Sequence, residues 1–440
     1  MSALDRRLLL RLLAGLPLLR AVAADAQGAA HLTGAACEVP KPGAATKLAV
    51  LAYRFAAIEY ITAAMRSCAG GTLEIEARLV SFSALLEQSN IFLASGGESP
   101  YDLLHTYNTL MWEQANRGWL RPLDELIAQF GSKYMLADIP KPITEACSYG
   151  GHQYGLPFQQ SVMILFANTD LLDKAGVAAP GTTGAWLDAC GKLSGAAGLR
   201  APLALACGGT AGIATEFHNA LMCEGGAWLD ADNRPAFNSD KGAAALELLR
   251  ALIAHCPPNA LSMSNDDVQV AMQQGQVAMT NLWITRAAQM DDPAMSRVPG
   301  KVAFSAAPRG PSGIPYSTFT VDMFAIPKGA AHPELAFQVL GDALRPDRER
   351  GLAPLTMVPR NSIADDKALN AKLRWIPAGA ATLADGAKAA PRVPFFSTLR
   401  EVVGRALQDG LQAKQPTHDI LARAEGDAAR MLKEQGFSKG

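Results

Sequence analysis

Lys47-Leu-Ala-Val-Leu-Ala-Tyr53, Leu73-Glu-Ile-Glu-Ala-Arg-Leu-Val80 and Tyr101-Asp-Leu-Leu-His105 follow one another in the first quarter of the chain, with a helical pattern after each. The first is a short apolar run of strand length, and the second alternates with period two. The third closes at Tyr107-Asn108. Between them, Ile58, Ile61, Ala64 and Met65 recur at helical spacing until Gly70-Gly71. Phe82 to Ala94 is helical until Gly96-Gly97, and Leu110 to Asn116 ends at Gly118. Strand and helix in alternation predict an α/β lobe on a mainly parallel sheet, because parallel neighbours need a crossover helix between them.

The alternation continues outward from this stretch. Gln153 to Phe158 and Val162 to Ala167 read as extended segments with Pro157 between them. Leu203 to Cys207, Gln276 to Trp283, Lys301 to Pro308 and Thr320 to Ile326 read as further strands. Helices are predicted over Trp186 to Leu193, Phe217 to Cys223, Ser239 to His255, Asp266 to Gln274, His332 to Leu344 and along the tail from Thr398 to Glu434. A chain of 440 residues exceeds what one hydrophobic core usually serves, so two domains are expected. Apolar residues at 49% and charged residues at 18% exclude a disordered chain, and a net charge of −1 leaves no basic footprint for nucleic acid or an anionic membrane.

Residues 1–26 read as an export signal. Arg6, Arg7 and Arg11 give a positive start, Leu8 to Leu19 give a short apolar stretch, and Ala21-Val-Ala23 and Ala24-Asp-Ala26 both fit a small-residue cleavage rule. Asp5-Arg-Arg-Leu-Leu-Leu10 resembles a twin-arginine signal, and an ordinary secretion signal reads equally well. A lipid-anchored Cys37 is a third alternative, with Gly34-Ala-Ala36 a poor match to a lipobox. All seven cysteines (Cys37, Cys68, Cys147, Cys190, Cys207, Cys223 and Cys256) lie beyond the signal, where export permits disulfides. Their odd number leaves at least one thiol unpaired or paired with another chain, and their spacing does not choose the pairing.

Motifs for chemistry are absent. There is no H-E-x-x-H, G-x-S-x-G, G-x-x-x-x-G-K or G-x-G-x-x-G, and the seven histidines show no metal-ligand spacing. No metal or cofactor is therefore expected. Gly208-Gly-Thr-Ala-Gly212 reads as a strand-to-helix turn before it reads as a phosphate cradle. Asp266-Asp267, Asp291-Asp292 and Asp365-Asp366 read as helix starts or solvated loops, since an acid at a helix N-terminus offsets the dipole. A glycan hydrolase, whose two carboxylates need no motif, stays open as an alternative.

The order of several segments resembles the sugar-type (family 1) extracellular solute-binding proteins of ABC importers, receptors of the maltose-binding-protein type. Ser95-Gly-Gly-Glu-Ser-Pro-Tyr-Asp-Leu-Leu-His105, Gly118-Trp-Leu-Arg-Pro-Leu-Asp-Glu-Leu126 and Tyr154-Gly-Leu-Pro157 with Asn168-Thr-Asp-Leu-Leu-Asp-Lys-Ala-Gly176 carry it. So do Gln273-Gln-Gly-Gln-Val-Ala-Met-Thr280, Ala325-Ile-Pro-Lys-Gly329 and Pro333-Glu-Leu-Ala-Phe337. The resemblance spans about Lys47 to Leu432. It implies a two-lobed periplasmic binding protein fold (type II), each lobe a mainly parallel sheet flanked by helices, with the ligand in the interlobe cleft. Lobe 1 would comprise 45–157 and 309–355, lobe 2 158–308 and 356–440. Crossings are expected near Pro157 to Val162, Ala306 to Pro308 and Pro354 to Pro359.

The function implied is a monomeric, periplasmic receptor that is not an enzyme. It would capture a sugar, polyol or glycoside and deliver it to an ABC permease, with a non-sugar ligand such as an amine or cofactor precursor as the alternative. Carried onto this sequence, the site would comprise Tyr53, Tyr107, Asn108, Gln159, Gln160, Trp283, Asp322, Arg360 and Phe396. Trp283, Tyr107 and Phe396 would offer flat apolar faces, and the amides, Asp322 and Arg360 would take hydroxyls. Trp119, Trp186 and Trp228 fall at packing or loop positions. Asp322 departs from the Gly-Gly-Trp often found there, and would pair with Arg360, accept from hydroxyls or meet a cation.

Overall fold

The computed structural model describes residues 32–196 and 198–437; the export segment expected at residues 1–26 lies outside them. The elements that position the cleft run in this order: β1 (Thr46–Tyr53), α1 (Ala56–Arg66), β2 (Leu73–Val80), α2 (Phe82–Ala94), β3 (Leu103–Tyr107), α3 (Asn108–Asn116), β4 (Gly155–Asn168), β5 (Ala201–Ala204), α4 (Gly209–Cys223), α5 (Asp240–Ile253), α6 (Asn265–Gln273), β6 (Val277–Trp283), β7 (Val302–Ser305), β8 (Thr318–Ala325), α7 (Pro333–Ala343), α8 (Phe396–Gln412) and α9 (Thr417–Glu434). Local chemistry sets the helix starts. Ser81 Oγ accepts the N–H of Ala84 at the head of α2, and Ser264 with Asp267 forms a reciprocal capping box on α6. Asp266-Asp267 is thus a helix start, and Asp366 caps the short helix Lys367–Asn370.

β1 pairs in parallel with β2 and β3, and the strand order is β2-β1-β3-β8-β4-β6-β5. β4 joins the two lobes. Gly155 to Val162 run antiparallel to β8 in the first lobe, and Met163 to Asn168 run antiparallel to β6 and β7 in the second. The two extended segments expected on either side of Pro157 are one strand of 14 residues. Pro157 is tolerated because it sits where the register shifts between Asp322 and Met323, an irregularity that absorbs a missing N–H.

Side chains alternate between the faces of β4, and the core divides accordingly. Ile164 and Phe166 belong to a cluster that runs from Leu51, Leu104 and Phe324 of the first lobe to Val277 and Ile284 of the second. Leu165 and Ala167 face the other cluster, where Phe217, Leu246, Leu249, Leu407 and Leu432 pack from α4, α5, α8 and α9. Gly208-Gly209 opens α4, and a Cβ on Gly212 would lie 2.6 Å from the oxygen of Ala206. Close packing therefore explains Gly208 and Gly212, and a left-handed φ of 71° explains Gly209.

Two expected boundaries move. The Thr183 N–H donates to the carbonyl of Arg309, the Ser312 N–H to that of Cys223, and the Tyr316 hydroxyl to that of Glu216. Residues 309–316 therefore dock on the second lobe, and the crossing expected at Ala306 to Pro308 occurs at the entry to β8. Met357 accepts the N–H of Gln160 at the middle of β4, but Ser362 bonds Asp138 and Arg350 pairs with Asp366. Residues up to Asp366 thus stay with the first lobe, instead of leaving it at 356, and Arg374 paired with Asp291 marks the return to the second. A loop composition reveals a connection, but not the surface on which it docks.

Cys37 and Cys68 form a disulfide that ties the segment before β1 to the end of α1; the other five cysteines are unbridged, and four of them are buried. A Cys37 sulfur held in this bridge is not free to carry a lipid. Among the described residues no helix is long and apolar enough to cross a membrane.

Candidate ligand-binding site

The first lobe presents a row of rings at its strand ends. Tyr53 ends β1, Phe55 lies two residues on, Phe82 opens α2, and Tyr107 ends β3. Ring centroids are 5.2 Å apart for Tyr53 and Phe55, 5.5 Å for Tyr53 and Phe82, and 6.0 Å for Phe82 and Tyr107. These are contact distances for tilted aromatic pairs. The row forms because each ring is at or just past the carboxyl end of a strand or at the following helix start, where an open α/β sheet has its crevice.

Beneath the rings, β8 brings Asp322 directly opposite Tyr107 on one side and Gln159 on the other. Asp322 Oδ1 meets His105 Nε2 at 3.0 Å, and Oδ2 accepts Gln159 Nε2–H at 3.0 Å. His105 Nδ1 accepts the backbone N–H of Tyr53, which leaves the proton on Nε2 for Asp322. Gln159 Oε1 in turn accepts the Thr356 hydroxyl at 2.9 Å. Both oxygens of the aspartate are thereby committed, although its side chain keeps 15% exposure. Gln160, next along β4, is half-buried, and its side chain has no hydrogen-bond partner among the described residues.

The second lobe contributes Trp283 at the end of β6, half-buried and in contact with no other ring among the described residues. Three residues later, Arg286 reaches across the cleft. Its Nη2 donates to Tyr53 Oη at 2.7 Å, while Nη1 donates to Asp266 at 2.5 Å and Gln269 at 2.6 Å. Burial raises the Tyr53 phenol above its ordinary value, the charge of Arg286 pulls the other way, and the net shift is upward, so the hydroxyl stays protonated. A second bond spans the lobes from α8, where Arg400 Nη2 donates to Tyr107 Oη at 2.9 Å and the guanidinium lies 5.7 Å from the ring centroid.

Ring contacts and hydrogen bonds through Phe82 and His105 thus link Tyr53, Tyr107, Gln159 and Asp322; Gln160 is the next residue on β4, and Trp283 ends β6 opposite Met163. Asn108, the residue after Tyr107, is buried, with Oδ1 accepting the N–H of Val321. Arg360 is not there. It is fully buried in the first lobe, bonded to Glu349 and to the carbonyls of Leu344, Tyr134 and Met135 at 2.7 Å, so pairing with Asp322 is ruled out. Phe396 is also elsewhere, packed in the second-lobe core with its ring 5.2 Å from Trp228. Phe55, Phe82, Arg286 and Arg400 join the site without having been expected. Phe55 and Phe82 were within reach of sequence, each lying two residues past a readable strand.

A model of the bacterial extracellular solute-binding proteins matches residues 59–347. The chain belongs to that family. Among its relatives, a protein of Brucella abortus described as a binding protein is 23% identical over 375 residues, covering 83% of this chain and 87% of its own. An ABC transporter solute-binding protein from Agrobacterium radiobacter, solved with ribitol, superposes with a TM-score of 0.81 at 22% identity, over 89% of this chain and all of the other. One from Agrobacterium vitis, solved with D-mannitol, gives 0.78 at 20% identity with the same coverage. This extracellular solute-binding protein therefore has the two-lobed fold of type II periplasmic receptors.

Proposed function

We propose that this solute-binding protein captures a small polyhydroxylated solute, a sugar or polyol, in the periplasm and passes it unchanged to the permease of an ABC importer. The observation that supports the reading is the row of Tyr53, Phe82 and Tyr107 at the strand ends of the first lobe, with the half-buried, unpartnered amide of Gln160 on β4 and Trp283 at the end of β6. Aromatic faces cover C–H surfaces, and a planar amide donates to and accepts from hydroxyls. The ribitol and mannitol held by the two Agrobacterium proteins support a ligand of that size.

Binding is tested by calorimetric titration of the exported form with ribitol, D-mannitol, maltose and spermidine. Micromolar binding of a polyol or sugar is expected, with the ligand recovered intact by mass spectrometry. Binding of spermidine alone, or release of a cleaved glycan, overturns the reading. Trp283→Ala should weaken binding at least tenfold, and an unchanged affinity would remove Trp283 from the site.

A further inference from the structure

We propose that Arg400 forms an oxyanion subsite at one end of the cleft, so that the ligand is a polyol carrying a carboxylate or a phosphate. The inference rests on the receptor reading above and narrows it. The other cleft arginine is neutralised: Arg286 pairs with Asp266. On α8 and α9, Arg405 has Glu401 and Arg423 has Asp409. Arg400 is half-buried, yet its partners among the described residues are the hydroxyl and ring of Tyr107. No carboxylate nearby is available to it. Both Glu113 oxygens are used, Oε1 by Arg117 at 2.8 Å and the Thr398 hydroxyl at 2.7 Å, Oε2 by the Thr398 N–H. Those of Asp322 are held by His105 and Gln159.

A partly desolvated guanidinium without a counter-ion is costly, and its planar fork of donors suits a carboxylate or phosphate better than a hydroxyl. One N–H is spent on Tyr107, which leaves donors for a bidentate contact. Behind it, His218 adds no competing charge. Burial holds its imidazole down at about 4, and it accepts from Trp228 Nε1 at 2.9 Å. The geometry also sets the ligand's polarity. Tyr107 stands opposite Asp322 in register and meets Arg400 through its hydroxyl, so the length of a tyrosine side chain separates the Arg400 contact from the floor at Asp322. An anionic head at Arg400 therefore leaves a hydroxylated chain over that floor.

The test titrates the protein with ribitol, D-ribonate and D-ribitol 5-phosphate. One of the two anions should bind about 10- to 100-fold more tightly than ribitol, and which one identifies the oxyanion. Arg400→Gln should abolish the preference for that anion over ribitol, with ribitol itself weakened about 3- to 10-fold by loss of the cross-lobe bond to Tyr107, and Arg400→Lys should restore part of the preference. Circular dichroism verifies that the variants fold, and the wild-type comparison alone decides if they do not. Ribitol binding as tightly as both anions overturns the oxyanion subsite and leaves the polyol reading standing. Binding of none of the three overturns the oxyanion subsite, and the receptor reading falls with it if D-mannitol and maltose also fail to bind.

Discussion

Ionisable side chains buried in the second lobe give the molecule a pH dependence that can be assigned to single residues. Glu216 on α4 is buried with one carboxyl oxygen lacking a partner, and burial pushes its carboxyl up to about 7. The unfolded group titrates near 4.5, so the folded state holds an extra proton between those values. The stabilisation is complete below about pH 4.5 and is lost as pH rises through 7, amounting to about 3 kcal/mol. His218 acts in the opposite sense at lower pH, because its folded value near 4 makes acidification below 6.5 destabilising. Comparing Glu216→Gln with wild type isolates the first effect. The melting temperature of the variant should gain on that of wild type from about pH 5 to 7 and the difference should level off above that, and parallel curves would place the Glu216 proton elsewhere. At this scale the sequence was informative about strand ends, since Tyr53, Tyr107 and Trp283 each close a strand as expected. It misled at Arg360, whose position after a Pro-rich loop gave no sign that the loop folds back and buries the guanidinium against Glu349.

Elements are held in place by close contacts that hydrophobic periodicity does not report. Gly404 in α8 is the clearest case, since an added Cβ would come within 2.2 Å of the backbone oxygen of Thr210 in α4. The amphipathic pattern of the tail revealed the helix, but glycine at this position reads as a mere weakness in it. Gly404→Ala should push α8 away from α4 and cost about 1–3 kcal/mol in urea denaturation, with Arg400, one turn earlier on the same helix, displaced as well. An unchanged midpoint would mean the helices have room to separate. The Cys37–Cys68 bridge closes a loop of 31 residues around β1 and α1. Converting both cysteines to serine should cost about 3–4 kcal/mol by the chain-entropy estimate, read as a lower melting temperature under oxidising conditions. Export predicted that disulfides were possible; only the fold, by bringing the segment before β1 against the end of α1, selects this pair from seven cysteines.

Over the whole molecule, the two lobes share β4 and meet again through Arg286 with Tyr53 and Arg400 with Tyr107. The lobes and their alternating strands were legible because two α/β cores impose their own periodicities. The loops between them were not, since 309–316 and 356–366 carry turn chemistry compatible with either surface. The cross-lobe bonds were invisible for the same reason, as they depend on how the two bodies face each other. They also define the closing equilibrium. A charged donor on one lobe and a phenol on the other favour the closed arrangement, and a ligand that touches both lobes shifts the population further by its differential affinity. Tyr53→Phe keeps the ring in its row and removes the acceptor for Arg286. The unliganded variant should therefore show a larger radius of gyration by solution scattering than unliganded wild type, and the two should match when ligand is saturating. Affinity should fall about 3- to 10-fold, the share of one partly exposed hydrogen bond in closure. If the variant instead scatters like wild type in both states while losing affinity, Tyr53 acts by touching the ligand and the bond to Arg286 has no part in closing the lobes.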